Sequence, residues 1–229
     1  MPSDKVSGVK ACVFDAYGTL FDINAAAQHC SEKLGGKWQS LAEIWRLKQL
    51  QYTWLRGLMG RHTSFWQVTQ DGLDYAMASL DIDDDKLRQQ LLDLYFELDA
   101  FPEVKEMLTR LKDAGLGTAI LSNGHPDMLQ AAIDNAKIGN LLDACLSVED
   151  VGVFKPHPSV YALPEKFFSL TAGEMSFQSS NGWDAHAAKA YGYQVVWINR
   201  YDQAEERIPD APDLQLKTLE KLPQVLELQ

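Results

Sequence analysis

The chain has 229 residues, of which 46% are hydrophobic and 23% are charged, and its formal net charge is −11. These values are ordinary for a globular protein and provide enough apolar side chains for a core without disulfides or a structural metal. The acidic balance argues against nucleic acid or an anionic membrane as a partner, because both favour clustered lysine and arginine. A small anionic substrate stays compatible with it, since such a ligand needs only a local positive field.

The cysteines and the N-terminus give an expectation about location. Cys12, Cys30 and Cys145 lie far apart and form no CxxC pair, which favours buried, unreactive thiols in a reducing compartment. The first ten residues, MPSDKVSGVK, contain no apolar segment typical of a signal peptide. No apolar run approaches the roughly 18 residues of a membrane span. We therefore predict a cytoplasmic protein.

Short β-type segments alternate with helical segments through most of the chain. The first covers residues 9–14 and ends at Asp15, and similar segments follow at Gly117–Leu121, Ala144–Ser147, Met175–Gln178 and Gln194–Ile198. Between them, apolar residues at helical spacing predict helices at Glu103–Ala114, Asp127–Ala136 and Ser159–Phe168. This alternation predicts parallel βαβ units, and hence an α/β fold with a doubly wound parallel sheet and a Rossmann-like core. After Arg200 we predict loop and a short final helix.

Residues 24–98 break the alternation, because they show helical periodicity and no convincing strand. Helices are predicted at Ala42–Leu58, Phe65–Leu80 and Lys86–Leu98. The first carries apolar residues at helical spacing, namely Ile44, Leu47, Leu50, Trp54 and Leu58. A helical block inserted after the first strand indicates a cap over an active site. We predict a core of residues 1–21 plus 100–229 and a helical cap of residues 22–99.

Polar side chains follow the carboxyl ends of the predicted strands, where open α/β sheets bind their ligands. They are Asp15, Tyr17 and Thr19, then Ser122 and Asn123, then Lys155 before Pro156, and finally Ser179, Asn181, Trp183 and Asp184. An aspartate at such a place can simply cap a helix or tie a turn. A carboxylate that a cation and hydrogen-bond donors keep ionised and aimed can instead act as a covalent nucleophile. Because four segments converge, we favour Asp15 as a nucleophile held by Lys155, and Asp184 as a group that orients Lys155 or water, or that serves only as helix N-terminal charge.

Four segments resemble, in the same order, the four motifs of the haloacid dehalogenase superfamily. They are Asp15-Ala-Tyr-Gly-Thr-Leu, Leu121-Ser-Asn-Gly, Phe154-Lys-Pro and Ser179-Ser-Asn-Gly-Trp-Asp. The resemblance covers nearly the whole chain and is closest to the type II (S)-2-haloacid dehalogenases. Residues 45–56, WRLKQLQYTWLR, are similar to the lid segment of those enzymes.

This resemblance implies a reaction that uses neither a cofactor nor a metal. Asp15 would displace halide from C2 of a short (S)-2-haloalkanoic acid, and water would then hydrolyse the ester to the (R)-2-hydroxy acid. Thr19, Lys155 and Ser179 would hold Asp15, while Asn181 and Asp184 would position the water or Lys155. Members of the resembled group are often homodimers, so a homodimer is also expected.

The resemblance also implies the residues that bind the substrate. Arg46 and Asn123 would cradle the halide, and Ser122 would contact the substrate carboxylate. The apolar wall would consist of Tyr17, Leu50, Phe65, Tyr161 and Trp183. Without the resemblance, Arg46 could belong to a solvated helix face and the wall residues to plain core. Leu47 stands where some relatives have glutamine, which argues against a halide contact there, and His186 is a further candidate for handling the water.

The main alternative is a Mg²⁺-dependent phosphatase of the same superfamily. Such phosphatases have a second aspartate two residues after the nucleophile, whereas this chain has Tyr17. Phosphoryl transfer requires neutralisation of spread negative charge, usually by a metal with several oxygen ligands, and the fourth motif here lacks the acidic pair. A halide departs without a proton, so the missing acid favours carbon–halogen cleavage. A binding protein that has kept the fold without catalysis is a third hypothesis.

Overall fold

The computed structural model describes residues 6–23 and 34–227, and within these residues its centre is a six-stranded sheet. The order of the strands is β3-β2-β1-β4-β5-β6, and every neighbouring pair is parallel. The strands are β1 (Ala11–Phe14), β2 (Gly117–Ser122), β3 (Ala144–Ser147), β4 (Met175–Ser179), β5 (Gln194–Ile198) and β6 (Leu214–Leu216). This arrangement confirms the predicted doubly wound α/β fold.

Helices cover the sheet and form the segment between β1 and β2. In that segment lie α1 (Trp38–Met59), α2 (Phe65–Ser79) and α3 (Asp85–Asp93). The later helices are α4 (Val104–Asp113), α5 (Pro126–Ala136), α6 (Pro158–Tyr161), α7 (Leu163–Phe168), α8 (Gly182–Tyr191) and α9 (Leu222–Val225). Across the described residues, no helix is both long and apolar enough to cross a membrane.

The segment between β1 and β2 has a hydrophobic cluster of its own. Its fully buried members come from α1, α2 and α3, and they are Leu41, Trp45, Leu73, Ala76, Met77, Leu87, Leu91 and Leu92. The chain enters and leaves this segment side by side, because Phe101 donates a backbone hydrogen bond to Leu20 (2.9 Å) and Asp22 donates one to Asp99 (2.9 Å). These contacts are compatible with the cap boundaries at residues 22 and 99, which stay a prediction.

The buried face of α1 does not coincide with its apolar stripe. The residues of this helix that are buried are Leu41, Trp45, Gln49 and Thr53, whereas Leu47 and Leu58 are 60% and 87% exposed. Two of the four buried side chains are polar, and none of the four belongs to the stripe of Ile44, Leu47, Leu50, Trp54 and Leu58.

Other differences concern short elements and one cysteine. Strand β6 was not predicted, because it has three residues and only partly buried side chains. The helix predicted at Ser159–Phe168 is divided into α6 and α7. Cys12 is buried, as expected, but Cys145 is exposed, because it lies on β3 at the edge of the sheet. Cys30 lies outside the described residues.

Candidate active site

Asp15 lies where the winding of the sheet reverses. Strand β1 is flanked by β2 on one side and by β4 on the other. The chain builds the sheet outward from β1 to β3 and then returns to build the other side from β4, and this reversal opens a crevice at the carboxyl end of β1. The backbone N–H of Asp15 donates to the carbonyl of Gln178 (2.9 Å), which prolongs the pairing of β1 with β4. The carboxylate of Asp15 is thus carried by the centre of the sheet.

The two oxygens of Asp15 have different surroundings. The amide of Asn181 donates to Oδ2 at 2.9 Å, and the hydroxyl groups of Thr19 and Ser179 lie 3.3 and 3.4 Å from the same oxygen. Among the described residues, the hydrogen-bond partner of Oδ1 is the ammonium of Lys155, at 3.3 Å. One oxygen is therefore fixed by several donors, and the other has a single charged neighbour.

Lys155 joins two buried carboxylates. Its Nζ lies 2.9 Å from Oδ2 of Asp184, and Oδ1 of Asp184 accepts a hydrogen bond from the hydroxyl of Tyr161 (2.6 Å). Burial acts to lower the pKa of Lys155, but the carboxylates of Asp15 and Asp184 outweigh it, and the pKa lies above its ordinary value. Burial raises the pKa of Asp184, against the lowering effect of the Lys155 ammonium. Asp184 therefore contacts Lys155 directly, besides lying at the start of α8.

A cavity of about 20 Å³, with room for about one water molecule, lies in front of Asp15. Its lining combines Asp15 and Lys155 with Tyr17, Arg46, Leu50, Phe65, Ser122, Asn123, Asn181 and Trp183. The structure thus brings together most of the substrate-binding residues predicted from sequence. Two of the polar ones are already engaged, because Ser122 Oγ accepts from Gly124 N (3.0 Å) and Asn123 Oδ1 accepts from Lys155 N (2.9 Å). The NH₂ end of Asn123 remains as the donor for a ligand.

Tyr17 occupies the position at which a phosphatase of this superfamily has its second aspartate. Its ring stacks on Phe65 with 5.9 Å between ring centroids, and its buried hydroxyl has no hydrogen-bond partner among the described residues. Burial raises the pKa of Tyr17 well above its ordinary value, so the phenol stays neutral. The ring of Tyr17 also explains why residue 124 is a glycine, since a Cβ at that residue would lie only 2.8 Å from the ring.

Two predicted candidates, Tyr161 and His186, lie elsewhere, and so does Leu47, for which no contact was predicted. Tyr161 is not part of the cavity lining, and its ring is 1% exposed. The predicted wall contact is thus corrected, because the hydroxyl of Tyr161 holds Asp184 from behind. His186 bonds through Nδ1 to the carbonyl of Pro209 (2.8 Å) and does not line the cavity either. Leu47 is exposed, which agrees with the absence of a halide contact from that residue.

A buried glutamine that the sequence reasoning missed holds Arg46. Nη1 of Arg46 donates to Oε1 of Gln49 (2.7 Å), and Nη2 donates to Oδ1 of Asn181 (3.2 Å). Gln49 is 0% exposed, and its amide nitrogen donates to Thr69 (2.8 Å) and lies 3.2 Å from the hydroxyl of Tyr95. The i, i+3 spacing of Arg46 and Gln49 was the available signal, but a polar residue inside a helix is more often solvated.

Comparisons with known proteins agree with this geometry. A profile of haloacid dehalogenase-like hydrolases matches residues 9–192. The chain belongs to the haloacid dehalogenase-like hydrolase family. It is 42% identical to (S)-2-haloacid dehalogenase 1 of Pseudomonas sp. strain CBS-3, over 95% of this chain and 96% of that protein.

Solved structures of dehalogenases in this family are also similar over nearly the whole chain. A dehalogenase crystallised with an intermediate superimposes with a TM-score of 0.94 at 38% identity, covering 96% of this chain and 98% of that one. The L-2-haloacid dehalogenase of Xanthobacter autotrophicus with covalently bound chloropropionic acid gives 0.88 at 38% identity, covering 95% and 98%.

The raised pKa of Lys155 predicts how stability depends on pH. Because the folded-state pKa lies above the unfolded value of about 10.4, the stabilisation is fully present below that pH and is lost as the pH rises through the folded-state pKa.

Urea unfolding of Lys155→Met at neutral pH should show that the free energy of unfolding is lower by about 3–5 kcal/mol, since two buried carboxylates lose their cation. Lys112→Met removes the more exposed pair with Asp143 and should cost at most about 1 kcal/mol. Equal losses of stability in the two variants would contradict the conclusion that Lys155 stabilises the buried carboxylates of Asp15 and Asp184.

Proposed function

We propose that this protein hydrolyses the carbon–halogen bond of short (S)-2-haloalkanoic acids to (R)-2-hydroxy acids through an ester on Asp15. The observation that carries the proposal is the unequal environment of the Asp15 oxygens. Oδ2 is held by Asn181 with Thr19 and Ser179 nearby, whereas Oδ1 meets the ammonium of Lys155 at the cavity. A carboxylate with one anchored and one available oxygen is suited to attack along a fixed direction.

In the first step, Oδ1 of Asp15 attacks C2 of the substrate from the side opposite the halogen. The new bond joins Oδ1 to C2, and the electron pair of the carbon–halogen bond leaves with the halide. The guanidinium of Arg46 and the NH₂ group of Asn123, both in the cavity lining, would receive the halide. These donors stabilise charge that develops during the step, so they lower the barrier. Inversion at C2 follows from the backside attack.

In the second step, water attacks Cγ of the Asp15 ester. The bond between Cγ and the oxygen attached to C2 then breaks, and the product leaves with an oxygen that came from Asp15. One proton of the water neutralises the product oxygen, and the other is released with the halide as acid. Asn181, Thr19 and Ser179 surround Oδ2, where the tetrahedral intermediate carries its negative charge.

We assign the positioning of this water to Asn181 and Asp184. Asn181 lines the cavity, and Asp184 reaches it through Lys155, which contacts both carboxylates. His186 is directed to the carbonyl of Pro209, which disfavours it for this role. The remaining lining is apolar or aromatic, from Leu50, Phe65 and Trp183. Such a wall suits the alkyl part of a haloacid, while Ser122 is placed for its carboxylate.

A single turnover in ¹⁸O-labelled water tests the ester route. With enzyme in excess over (S)-2-chloropropionate, the label should enter the peptide that contains Asp15 and should be absent from the first lactate released. Asp15→Asn should reduce halide release by at least about 10³-fold, because an amide is a poor nucleophile. Mass spectrometry of the peptide and of the product gives the answer, and label found only in the product would mean that water attacks C2 directly.

Chelation and a phosphate panel separate this proposal from the phosphatase alternative. Dehalogenation should survive EDTA, and release of inorganic phosphate from small phosphate esters with Mg²⁺ should stay at background. The neutral phenol of Tyr17 stands where the phosphatase needs its acid–base carboxylate, and its pKa is raised by burial. Mg²⁺-dependent phosphate release without halide release would favour the alternative. Inactivity on both panels with normal folding would favour a binding protein.

Replacement of Gln49 should weaken catalysis through Arg46. Gln49→Met keeps a similar volume but removes the acceptor of the 2.7 Å bond from Arg46, so kcat/KM for (S)-2-chloropropionate should fall about tenfold, as expected for about 1.4 kcal/mol. The matched control is Gln51→Met, which removes the 2.8 Å bond from Lys48 at the same spacing on the same helix. Steady-state kinetics should show no more than about a twofold change in the control. Equal losses in both variants would contradict a positioning role for Gln49.

We further propose that the protein is a cytoplasmic homodimer that associates through an exposed apolar face of α1. Leu47 and Leu55 are 60% and 45% exposed and lie eight residues apart, on one side of the helix. Large apolar residues exposed on one side of a helix are typical of association surfaces. Sedimentation velocity should give a dimer for the wild type and a monomer for the double variant Leu47→Glu/Leu55→Glu. Phe167→Glu, at a side chain that is 49% exposed on α7, should stay dimeric, and a monomeric wild type would refute the proposal.

A further inference from the structure

A second and larger cavity lies beside the catalytic one, between the C-terminal half of α1 and the core. We call it the apolar cleft. Its volume is about 590 Å³, which falls within the range of small-molecule sites. On the side of α1 it is lined by Trp54, Gly57 and Leu58, and on the side of the core by Ala187, Ala190 and Ile208.

The cleft and the catalytic cavity share a wall. Lys155 and Trp183 line both of them. The same side of α1 also serves both, because Arg46 and Leu50 line the cavity and Trp54 and Leu58 line the cleft. Residues four apart along a helix lie on one face, so a single stripe of α1 runs from the halide site into the cleft.

The partition between the two spaces consists of the Lys155 side chain and the ring of Trp183, and no hydrogen bond among the described residues holds that ring. The rings of Trp54 and Trp183 meet edge to face with 5.4 Å between centroids. Both indole N–H groups are buried without a hydrogen-bond partner among the described residues. The ring of Trp183 is therefore held by packing contacts alone. By contrast, Tyr17 and Phe65 on the cavity wall are 4% and 2% exposed, so a substrate tail could not extend past these two rings.

Three polar side chains of the cleft are already engaged, whereas the two indole N–H groups have no partner among the described residues and the carboxylate of Asp210 lies in the lining at an exposed position. Lys155 pairs with Asp15 and Asp184, the Nδ1 atom of His157 lies 2.8 Å from the hydroxyl of Ser159, and that of His186 lies 2.8 Å from the carbonyl of Pro209. What the cleft offers a ligand is mainly apolar surface. An alkyl chain matches that surface, whereas a charged group would have to be desolvated against it.

We propose that the apolar cleft binds the alkyl tail of 2-haloalkanoic acids longer than chloropropionate. The proposal rests on the function proposed above and names a substrate class for it: medium-chain 2-haloacids, with the reacting carbon at Asp15 and the tail beyond Trp183. Each methylene that enters the cleft is worth about a fourfold gain in affinity.

Filling the cleft tests the proposal. Gly57 lies inside α1, and a Cβ built there meets only Val153 within 4 Å, at 3.8 Å, so Gly57→Leu sends its side chain into the cleft. Kinetics are measured on (S)-2-bromo acids of three to eight carbons. We expect kcat/KM of the wild type to rise with chain length. Gly57→Leu should lower kcat/KM by about tenfold or more for 2-bromooctanoate and by at most about twofold for 2-bromopropionate, as expected for a few excluded methylenes.

Two further variants guard against a trivial effect. Ala190→Phe fills the cleft from the opposite wall on α8 and should reproduce the chain-length dependence even if Gly57→Leu folds poorly. Glu43→Leu adds the same leucine at an exposed position of α1 and should change neither substrate. An equal loss on both substrates in the two cleft variants would overturn the proposal, since it would indicate general damage to the site.

Binding of octanoate, a non-reactive probe, separates this proposal from the proposed function. By calorimetry, octanoate should bind the wild type more tightly than propionate does, and Gly57→Leu should abolish the difference. If no haloacid is turned over but this difference in affinity remains, the proposal that the cleft binds an alkyl tail is supported and the dehalogenase proposal fails. Equal affinities for octanoate and propionate would overturn the proposal that the cleft binds an alkyl tail. So would a change of oligomeric state in Gly57→Leu, because a second copy of the chain would then be the occupant.

Discussion

The buried ammonium of Lys155 is the interaction on which the site depends. It is 1% exposed and lies between the carboxylates of Asp15 and Asp184 at 3.3 and 2.9 Å. Removing such charges from water costs several kcal/mol per ion, and only close pairing with further hydrogen bonds offsets the cost. Those further bonds come from Tyr161 to Asp184 and from Asn181 to Asp15. The segments that follow β1 and β4 and the one that carries Lys155 therefore satisfy charges that the others have buried.

The same cluster explains why the cap belongs to the site. Two carboxylates and one ammonium leave an excess of negative charge beside the place where an anionic substrate must bind. Arg46 of α1 brings the next positive charge and reaches the core through the 3.2 Å bond to Asn181. Because Asn181 also donates to Asp15, Arg46 is connected to the carboxylate of Asp15 through one side chain. The fourth motif thus connects the cation of the cap to the carboxylate of the core.

The sequence predicted the parts of the site that lie at strand ends, for a geometric reason. Parallel strands bring their carboxyl ends to one edge, so Asp15, Asn181 and Asp184 could be placed together without any coordinates. It did not predict the depth at which side chains lie. Tyr161 was expected at the cavity wall but lies behind Asp184, and Gln49 was missed because its burial arises from Thr69 and Tyr95 on other elements. Strand β6 was missed because three residues, of which Gln215 is exposed, are too few for a periodic signal.

Helix α1 shows why periodicity alone was misleading here. A helix with one buried side shows one apolar stripe, but α1 has three sides with different surroundings. Leu41 and Trp45 pack into the cap cluster, Arg46 and Leu50 line the catalytic cavity, and Leu55 is exposed. Apolar residues therefore occur on all three sides, and the buried side also carries Gln49, which holds Arg46. Since apolar residues are not confined to one side of α1, its periodicity alone could not identify which face is buried.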